Sequence, residues 1–129
     1  MRVESSYGGI AMFGFEKLEV WQKAIELTDS VYAVTRSFPN EERFGLTSQI
    51  RHSSVSVASN IAEGSGRGSN PDFARFVEIA YGSLMELITQ LKIASRQGLL
   101  PKPAYDEAYS KSETIARMLS GLRSSLAKP

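Results

Sequence analysis

The glycine-rich segment Gly64-Ser65-Gly66-Arg67-Gly68 is the first part of this sequence that could bind a ligand. It precedes Asn70-Pro71-Asp72, a typical helix start, where free backbone N–H groups attract anions. However, the segment follows a predicted helix rather than a strand, and it lacks the Lys-Ser or Lys-Thr pair of a nucleotide-binding loop. A flexible turn between two helices is therefore the favoured interpretation, and phosphate binding is the alternative.

Catalytic and metal-binding patterns are missing from the sequence. His52 is the one histidine, and the chain has no cysteine. Glu63 lies about three helical turns from His52, too far to share an ion within one helix. No Gly-x-Ser-x-Gly nucleophile motif occurs. We therefore predict no catalytic residue, no metal and no cofactor, and we interpret His52 as an exposed or interface residue of a protein that is not an enzyme.

Basic residues in the central half of the chain allow two interpretations. They are opposed by nearby carboxylates such as Glu63 and Glu86, so a solvated, salt-bridged surface is the simpler explanation. The alternative is a set of contacts to nucleic acid phosphates. The candidate phosphate-binding residues are Arg51, Arg67, Arg75, Lys92 and Arg96.

Composition narrows the class of protein further. The chain has 129 residues, of which 42% are hydrophobic and 22% charged, and its net charge is +1. This size and composition predict one folded domain without a global field that attracts nucleic acid or anionic lipid. No apolar run approaches the ~20 residues of a membrane helix. We expect a cytoplasmic protein without a membrane partner.

Apolar residues recur at helical spacing in four segments. Asn40 and Asn70 are the predicted N-caps of the second and third helices, and Gly98 is predicted to end the third. Residues 53–59 are rich in serine and valine and resemble a strand, but the apolar row continues through them, so a helix is predicted. Helices are expected at 16–37, 41–64, 71–97 and 102–126.

Four such helices with short links predict an all-α, antiparallel up-down-up-down four-helix bundle over residues 15–129. Residues 1–14 contain three glycines and little pattern, and they predict a flexible N-terminal leader. The first helix has two apolar rows instead of one, which together cover a wide arc. The second row is either deeply seated or part of a contact with another copy; its candidate interface residues are Trp21, Ile25 and Tyr32.

Several motifs resemble those of a known family. They include Phe15-Glu16-Lys17-Leu18 and, most specifically, Ser59-Asn60-Ile61-Ala62-Glu63-Gly64, followed by Phe73-x-Arg75-Phe76 and Gly82-Ser83-Leu84-x-Glu86-Leu87-x-Thr89-Gln90-Leu91. Over about residues 15–125 the chain resembles the four-helix bundle proteins encoded in 23S ribosomal RNA intervening sequences. It departs from them at His52, Ser53, Ser54, Ala58 and Ile88.

This resemblance implies a left-handed bundle that assembles into a homopentameric ring. It also implies a relationship to the accessory variability proteins of diversity-generating retroelements, which bind nucleic acid and a reverse transcriptase. The implied partners are therefore further copies of the chain, RNA or DNA bound without sequence preference, and a protein such as a reverse transcriptase. A ring would repeat each cation around its axis, so that a chain with a small net charge could present a cationic rim.

The polar residues of the matched motifs are expected to hold helices two and three together rather than to react. We predict a structural role for Asn60, Glu63, Gly64, Glu86 and Gln90. Two functional hypotheses remain: a non-catalytic, oligomeric adaptor that binds nucleic acid phosphates, and a purely structural protein–protein interaction module.

Overall fold

The computed structural model describes residues 3–4, 10–11 and 13–128. Near the N-terminus, β1 (Val3–Glu4) and β2 (Ile10–Ala11) pair antiparallel. Most of the remaining predicted leader lies outside the described residues, so its flexibility and the domain boundary at residue 15 stay predictions.

Four long helices form the rest of the structure, as predicted. They are α1 (Glu19–Thr35), α2 (Leu46–Ser65), α3 (Asn70–Arg96) and α4 (Lys102–Leu126). Residues 53–59 are helical, because the apolar row of α2 continues through them into the core. No helix of the described part is both long enough and apolar enough to cross a membrane.

The predicted starts of the first two helices are too early. Residues Gly14–Lys17 form a 3-10 turn that ends in extended backbone at Leu18, so α1 begins at Glu19. Before α2, Asn40–Glu42 form a second 3-10 turn, and Gly45 has non-helical dihedral angles of −107° and −113°. Both turns satisfy backbone groups locally, which delays the start of the α-helix.

The predicted caps also need correction. Asn40 starts the 3-10 turn and does not cap α2; instead, a carboxylate oxygen of Glu42 accepts the N–H of Leu46 at 3.4 Å. The cap of α3 is Ser69, whose hydroxyl accepts the N–H of Asp72 at 3.3 Å, so Asn70 is the first helical residue. Serine is as suitable a cap as asparagine, and it places the following proline inside the first turn.

Gly98 ends α3 as predicted. Its φ of +78° lies in the left-handed region that glycine adopts without strain. The N–H of Leu99 bonds to the carbonyl of Ala94 at 2.9 Å, and the N–H of Gly98 bonds to Ser95 at 3.1 Å. This pair of bonds is the Schellman ending, which satisfies the last carbonyls of the helix.

The core lies between the four helices. α1 packs against α2 and α4, and α3 packs against the same two helices. Side chains from every helix are fully buried there, because their apolar rows face inward at helical spacing. The largest include Leu27, Val31, Ile50, Ile61, Leu84, Leu87, Leu91, Ile115 and Leu119.

Candidate nucleic-acid interface

Two of the candidate cations meet at the turn between α2 and α3. The guanidinium carbons of Arg67 and Arg75 lie 4.5 Å and 4.9 Å from the centre of the Phe76 ring. Arg67 also pairs with Glu63, one helical turn earlier, at 3.3 Å. The buried ring of Phe76 thus holds two positive charges close together at one end of the bundle.

Arg51 lies in the other half of the molecule, against α1. Its Nε donates a hydrogen bond to the hydroxyl of Thr35 at 2.8 Å, and its guanidinium lies 4.6 Å from the centre of the Tyr32 ring. Both contacts restrict the side chain, so less conformational entropy would be lost when it binds an anion.

The remaining two candidates lie on α3, in its C-terminal part. The amino group of Lys92 lies 5.0 Å from the centre of the Tyr105 ring on α4, and Arg96 is exposed in the last helical turn. The five candidate cations therefore do not form one patch within a chain. Arg67 and Arg75 are brought together, whereas Arg51 and Lys92 contact different neighbouring helices.

Salt bridges occupy few of these cations. Among residues 13–128 the ion pairs are Arg67–Glu63, Lys102–Asp106, Lys111–Glu107 and Arg123–Glu78. Of the five candidate cations, Arg67 is the one with a carboxylate partner in this part of the chain. Salt bridges therefore account for one of the five, and the others contact aromatic rings and a hydroxyl or extend into solvent.

The second apolar row of α1 borders a groove. Trp21 and Ile25 line this α1–α2 apolar groove, about 280 Å³ in volume, together with Phe15, Thr28, Val55, Ala58, Ser59 and Ala62. The ring of Phe15 contacts that of Trp21 edge-on at 5.1 Å. Tyr32 lies outside this groove, beneath Arg51. The row is thus only half-buried within one chain, while Val20, Ala24, Leu27 and Val31 fill the core.

A second groove adjoins the first at Val55 and was not predicted from the sequence. It has a volume of about 430 Å³ and is lined by Tyr32, Arg43, Phe44, Thr47, Ser48, Arg51, His52 and Val55. We name it the Arg43–His52 groove. An available sequence signal was the Arg43-Phe44 pair, because a cation beside an aromatic residue in a turn suits nucleic acid.

The motif residues of α2 and α3 form a ladder of polar contacts. Ser53 Oγ lies 3.1 Å from a carboxylate oxygen of Glu86 and 2.9 Å from the amide oxygen of Gln90. Because a hydroxyl carries one proton, Ser53 donates to one of these oxygens at a time. One turn further along α2, the hydroxyls of Ser56 and Ser83 lie 2.8 Å apart. The serines, which the sequence analysis noted only for their strand-like composition, are the centres of this ladder.

Toward the end of α2, Asn60 bonds within its own helix, and Gly64 continues the contact with α3. The amide nitrogen of Asn60 donates to the backbone carbonyl of Ser56 at 2.8 Å. A Cβ at Gly64 would lie 2.6 Å from the Cβ of Phe76 and 3.0 Å from a ring carbon of Phe73. Glycine is therefore required where α2 meets the first turns of α3.

Reactive chemistry has little support in the described residues. No group of three or more His, Asp or Glu side chains is placed there to hold a metal ion. The pKa of Tyr105 is raised, first by burial and then by the neighbouring Tyr109 and Asp106. A phenol with a raised pKa stays protonated, so it is a poor general base.

Comparisons with known proteins agree with this architecture. The fold is similar to the crystal structure of a protein of unknown function from the S23 ribosomal protein family of Bacteroides thetaiotaomicron. The TM-score is 0.75 and the sequence identity 24%, over 81% of this chain and 97% of that one. No curated protein matches the chain. A family model described as 23S rRNA-intervening sequence protein matches residues 16–121. Since this match covers most of the chain, including α1 to α3 and most of α4, the chain belongs to the family of 23S rRNA-intervening sequence proteins.

Proposed function

We propose that this chain is a non-catalytic bundle protein that self-associates and binds nucleic acid through its phosphates. One observation carries the nucleic-acid part: Arg51, Arg75, Lys92 and Arg96 have no carboxylate partner within residues 13–128. Cations without acidic partners can neutralise phosphates without first breaking an ion pair. The chain has no base-reading module, so binding without sequence preference is expected.

The bundle is proposed to be antiparallel, up-down-up-down and left-handed. The order of contacts supports the alternating direction, because residue numbers fall along one helix as they rise along its neighbour. Supporting pairs are Thr28–Ser54 and Thr35–Arg51 for α1 and α2, Ser53–Gln90 and Ser56–Ser83 for α2 and α3, and Glu78–Arg123 and Lys92–Tyr105 for α3 and α4.

Self-association, with a homopentameric ring as the proposed form, is supported by the α1–α2 apolar groove. Trp21 and Ile25 remain half-buried in one chain, and Val55 beside them is 41% exposed. A second copy that covered this groove would remove apolar surface from water. A ring would also repeat the Arg67–Arg75 pair around its axis, which raises the local density of positive charge.

The test of nucleic-acid binding is fluorescence anisotropy with labelled RNA and DNA over a series of salt concentrations. We expect affinity to fall as salt rises, with a slope near −0.9 per neutralised phosphate on duplex DNA. Charge reversal by Arg75→Glu and Arg96→Glu should weaken the binding of all sequences alike. Arg117→Glu is the matched control, because Arg117 is exposed on α4 and belongs to no proposed contact.

Two results would contradict the proposal. If the wild-type chain binds neither RNA nor DNA at low salt, the nucleic-acid function is wrong. If Arg117→Glu weakens binding as much as Arg75→Glu and Arg96→Glu, the effect reflects net charge and the assigned residues are wrong. Light scattering on each variant must show an unchanged oligomer, since loss of the oligomer would place the arginines in the interface.

A structural protein–protein interaction module is the second candidate function, and the α1–α2 apolar groove favours it. In that case the groove binds another chain, and the cations only keep the surface solvated. Trp21→Ala should then reduce self-association in light scattering or binding of a partner protein, without any effect on nucleic acid. A wild-type monomer with no protein partner would contradict this alternative.

A further inference from the structure

The Arg43–His52 groove combines positive charge with exposed aromatic surface. Arg43, Arg51 and His52 contribute its basic groups, and no Asp or Glu is among its described lining residues. Its volume of about 430 Å³ lies within the range of ~300–1,000 Å³ that is usual for small-molecule clefts. A ligand of this groove is therefore expected to be anionic and of the size of one or two small rings.

Phe44 supplies a surface for a planar ligand. Its side chain is 85% exposed, the most of any large apolar residue in residues 13–128. The guanidinium of Arg43 lies 4.6 Å from the centre of the same ring. An exposed aromatic ring beside an arginine is the arrangement on which unpaired bases stack in single-stranded nucleic acid sites.

Arg51 supplies a positioned cation in the same groove. Because Nε is bonded to Thr35, the terminal nitrogens of the guanidinium are the donors left for another group. Tyr32 lies beneath the guanidinium plane and keeps it against α1. A phosphate in the groove could therefore accept hydrogen bonds from a side chain that is already oriented.

We propose that the Arg43–His52 groove binds one nucleotide unit of single-stranded nucleic acid. The base stacks on Phe44, and the adjacent phosphate is held by Arg43 and Arg51. This inference rests on the proposed nucleic-acid function and specifies its substrate class. A duplex is excluded from the groove, because its bases are already stacked and paired and present no free face to Phe44.

The test compares three labelled ligands of equal length: a single-stranded oligonucleotide, an abasic strand with the same phosphates, and a duplex. Phe44→Leu should weaken binding of the single strand by about fivefold or more, the effect of losing one stacked base. Binding of the abasic strand and of the duplex should not change. Tyr109→Leu is the matched control, since Tyr109 is 42% exposed on α4 and is not among the residues that line the groove.

The phosphate contact is tested separately with Arg43→Gln. This variant should reduce the salt slope of single-strand binding by about 0.7, the value for one lost phosphate contact. The same reduction is expected with the abasic strand, because its phosphates are intact. Arg117→Gln, which removes the same charge from α4, should leave the slope of both strands nearly unchanged.

Five results would overturn the inference. Equal weakening of all three ligands by Phe44→Leu would exclude stacking, and dissociation of the oligomer by this variant would make Phe44 an interface residue. A glutamate-rich peptide that binds as tightly and is equally sensitive to Phe44→Leu would make the groove an acidic-peptide site. If Arg75→Glu and Arg96→Glu weaken binding but the groove variants do not, the nucleotide site in the groove is wrong and the proposed nucleic-acid function stands. If the wild type binds no nucleic acid, the nucleotide site and the proposed function are both wrong.

Discussion

Gly64 offers a quantitative test of the contact between α2 and α3. In Gly64→Ala the new Cβ would lie 2.6 Å from the Cβ of Phe76, well inside van der Waals contact. Because the Cβ of Phe76 is attached directly to the backbone of α3, a side-chain rotation cannot relieve the clash. The two helices must separate locally, which would also loosen the packing of Phe73.

The change in unfolding free energy of Gly64→Ala is the sum of two opposing contributions. Overpacking a well-packed contact costs about 1–3 kcal/mol, whereas alanine in place of glycine stabilises a helix by up to ~1 kcal/mol. The expected net loss is about 1–2 kcal/mol of unfolding free energy, or a Tm lower by roughly 3–8 °C for a domain of this size. The measurement is thermal denaturation followed by far-ultraviolet circular dichroism at one fixed protein concentration, because assembly also affects Tm.

Gly82→Ala is the matched control for this prediction. Gly82 lies within α3, and a Cβ there would meet no atom within 4 Å. This variant should therefore raise stability by about 0.5–1 kcal/mol through helix propensity alone. If Gly64→Ala is as stable as Gly82→Ala, α2 and α3 do not meet as closely at this point as the structure indicates.

Three further predictions concern the core, a helix end and a tyrosine. Leu84→Ala, at a fully buried position, should lower unfolding free energy by about 2–5 kcal/mol in a denaturant titration. Gly98→Ala should cost about 1 kcal/mol, because alanine is strained at a φ of +78°; a stability equal to wild type would contradict the Schellman ending. The raised pKa of Tyr105 predicts that its phenol ionises at higher pH than a free tyrosine in an ultraviolet titration against Tyr105→Phe. Because the raised pKa favours the protonated folded state, the associated stability is present below pH ~10 and is lost as pH rises through the raised value; Asp106→Asn should move that pKa downward.

The four helices could be predicted because local rules agree with the tertiary structure over most of the chain. The apolar rows of α3 and α4 have one clear face each, and prolines mark both starts, so Lys102–Leu126 was predicted without error. The start of α2 could not be predicted, because Asn40 and two glutamates satisfy the helix-start rules while the chain folds into a 3-10 turn there. The 3-10 turn lies in the connection between α1 and α2, and α2 begins only after the non-helical Gly45.

The candidate site was predictable in residue type but not in arrangement. The sequence singled out Arg67 and Arg75, and their shared contact with Phe76 depends on the turn that joins α2 to α3. Arg43 and Phe44 were not predicted as site residues. They lie in a turn, and they line a groove only because α1 and α2 pack beside that turn. In this groove α1 contributes Tyr32, which lies more than ten residues before Arg43 in the chain, so no local pattern indicates the contact.

By itself, the sequence determined the number of helices, the rows that enter the core, the absence of cysteine chemistry and the resemblance to the family. These properties follow from residue type and short-range spacing, since helix formation and amphipathicity are read within a few turns. Only the tertiary structure decided that the five candidate cations are divided among separate places, that the serines of α2 bond to α3, and that the Arg43–His52 groove exists. The physical reason is that grooves and cross-helix hydrogen bonds depend on the rotation and depth at which helices pack, which are set by contacts between residues far apart in the chain.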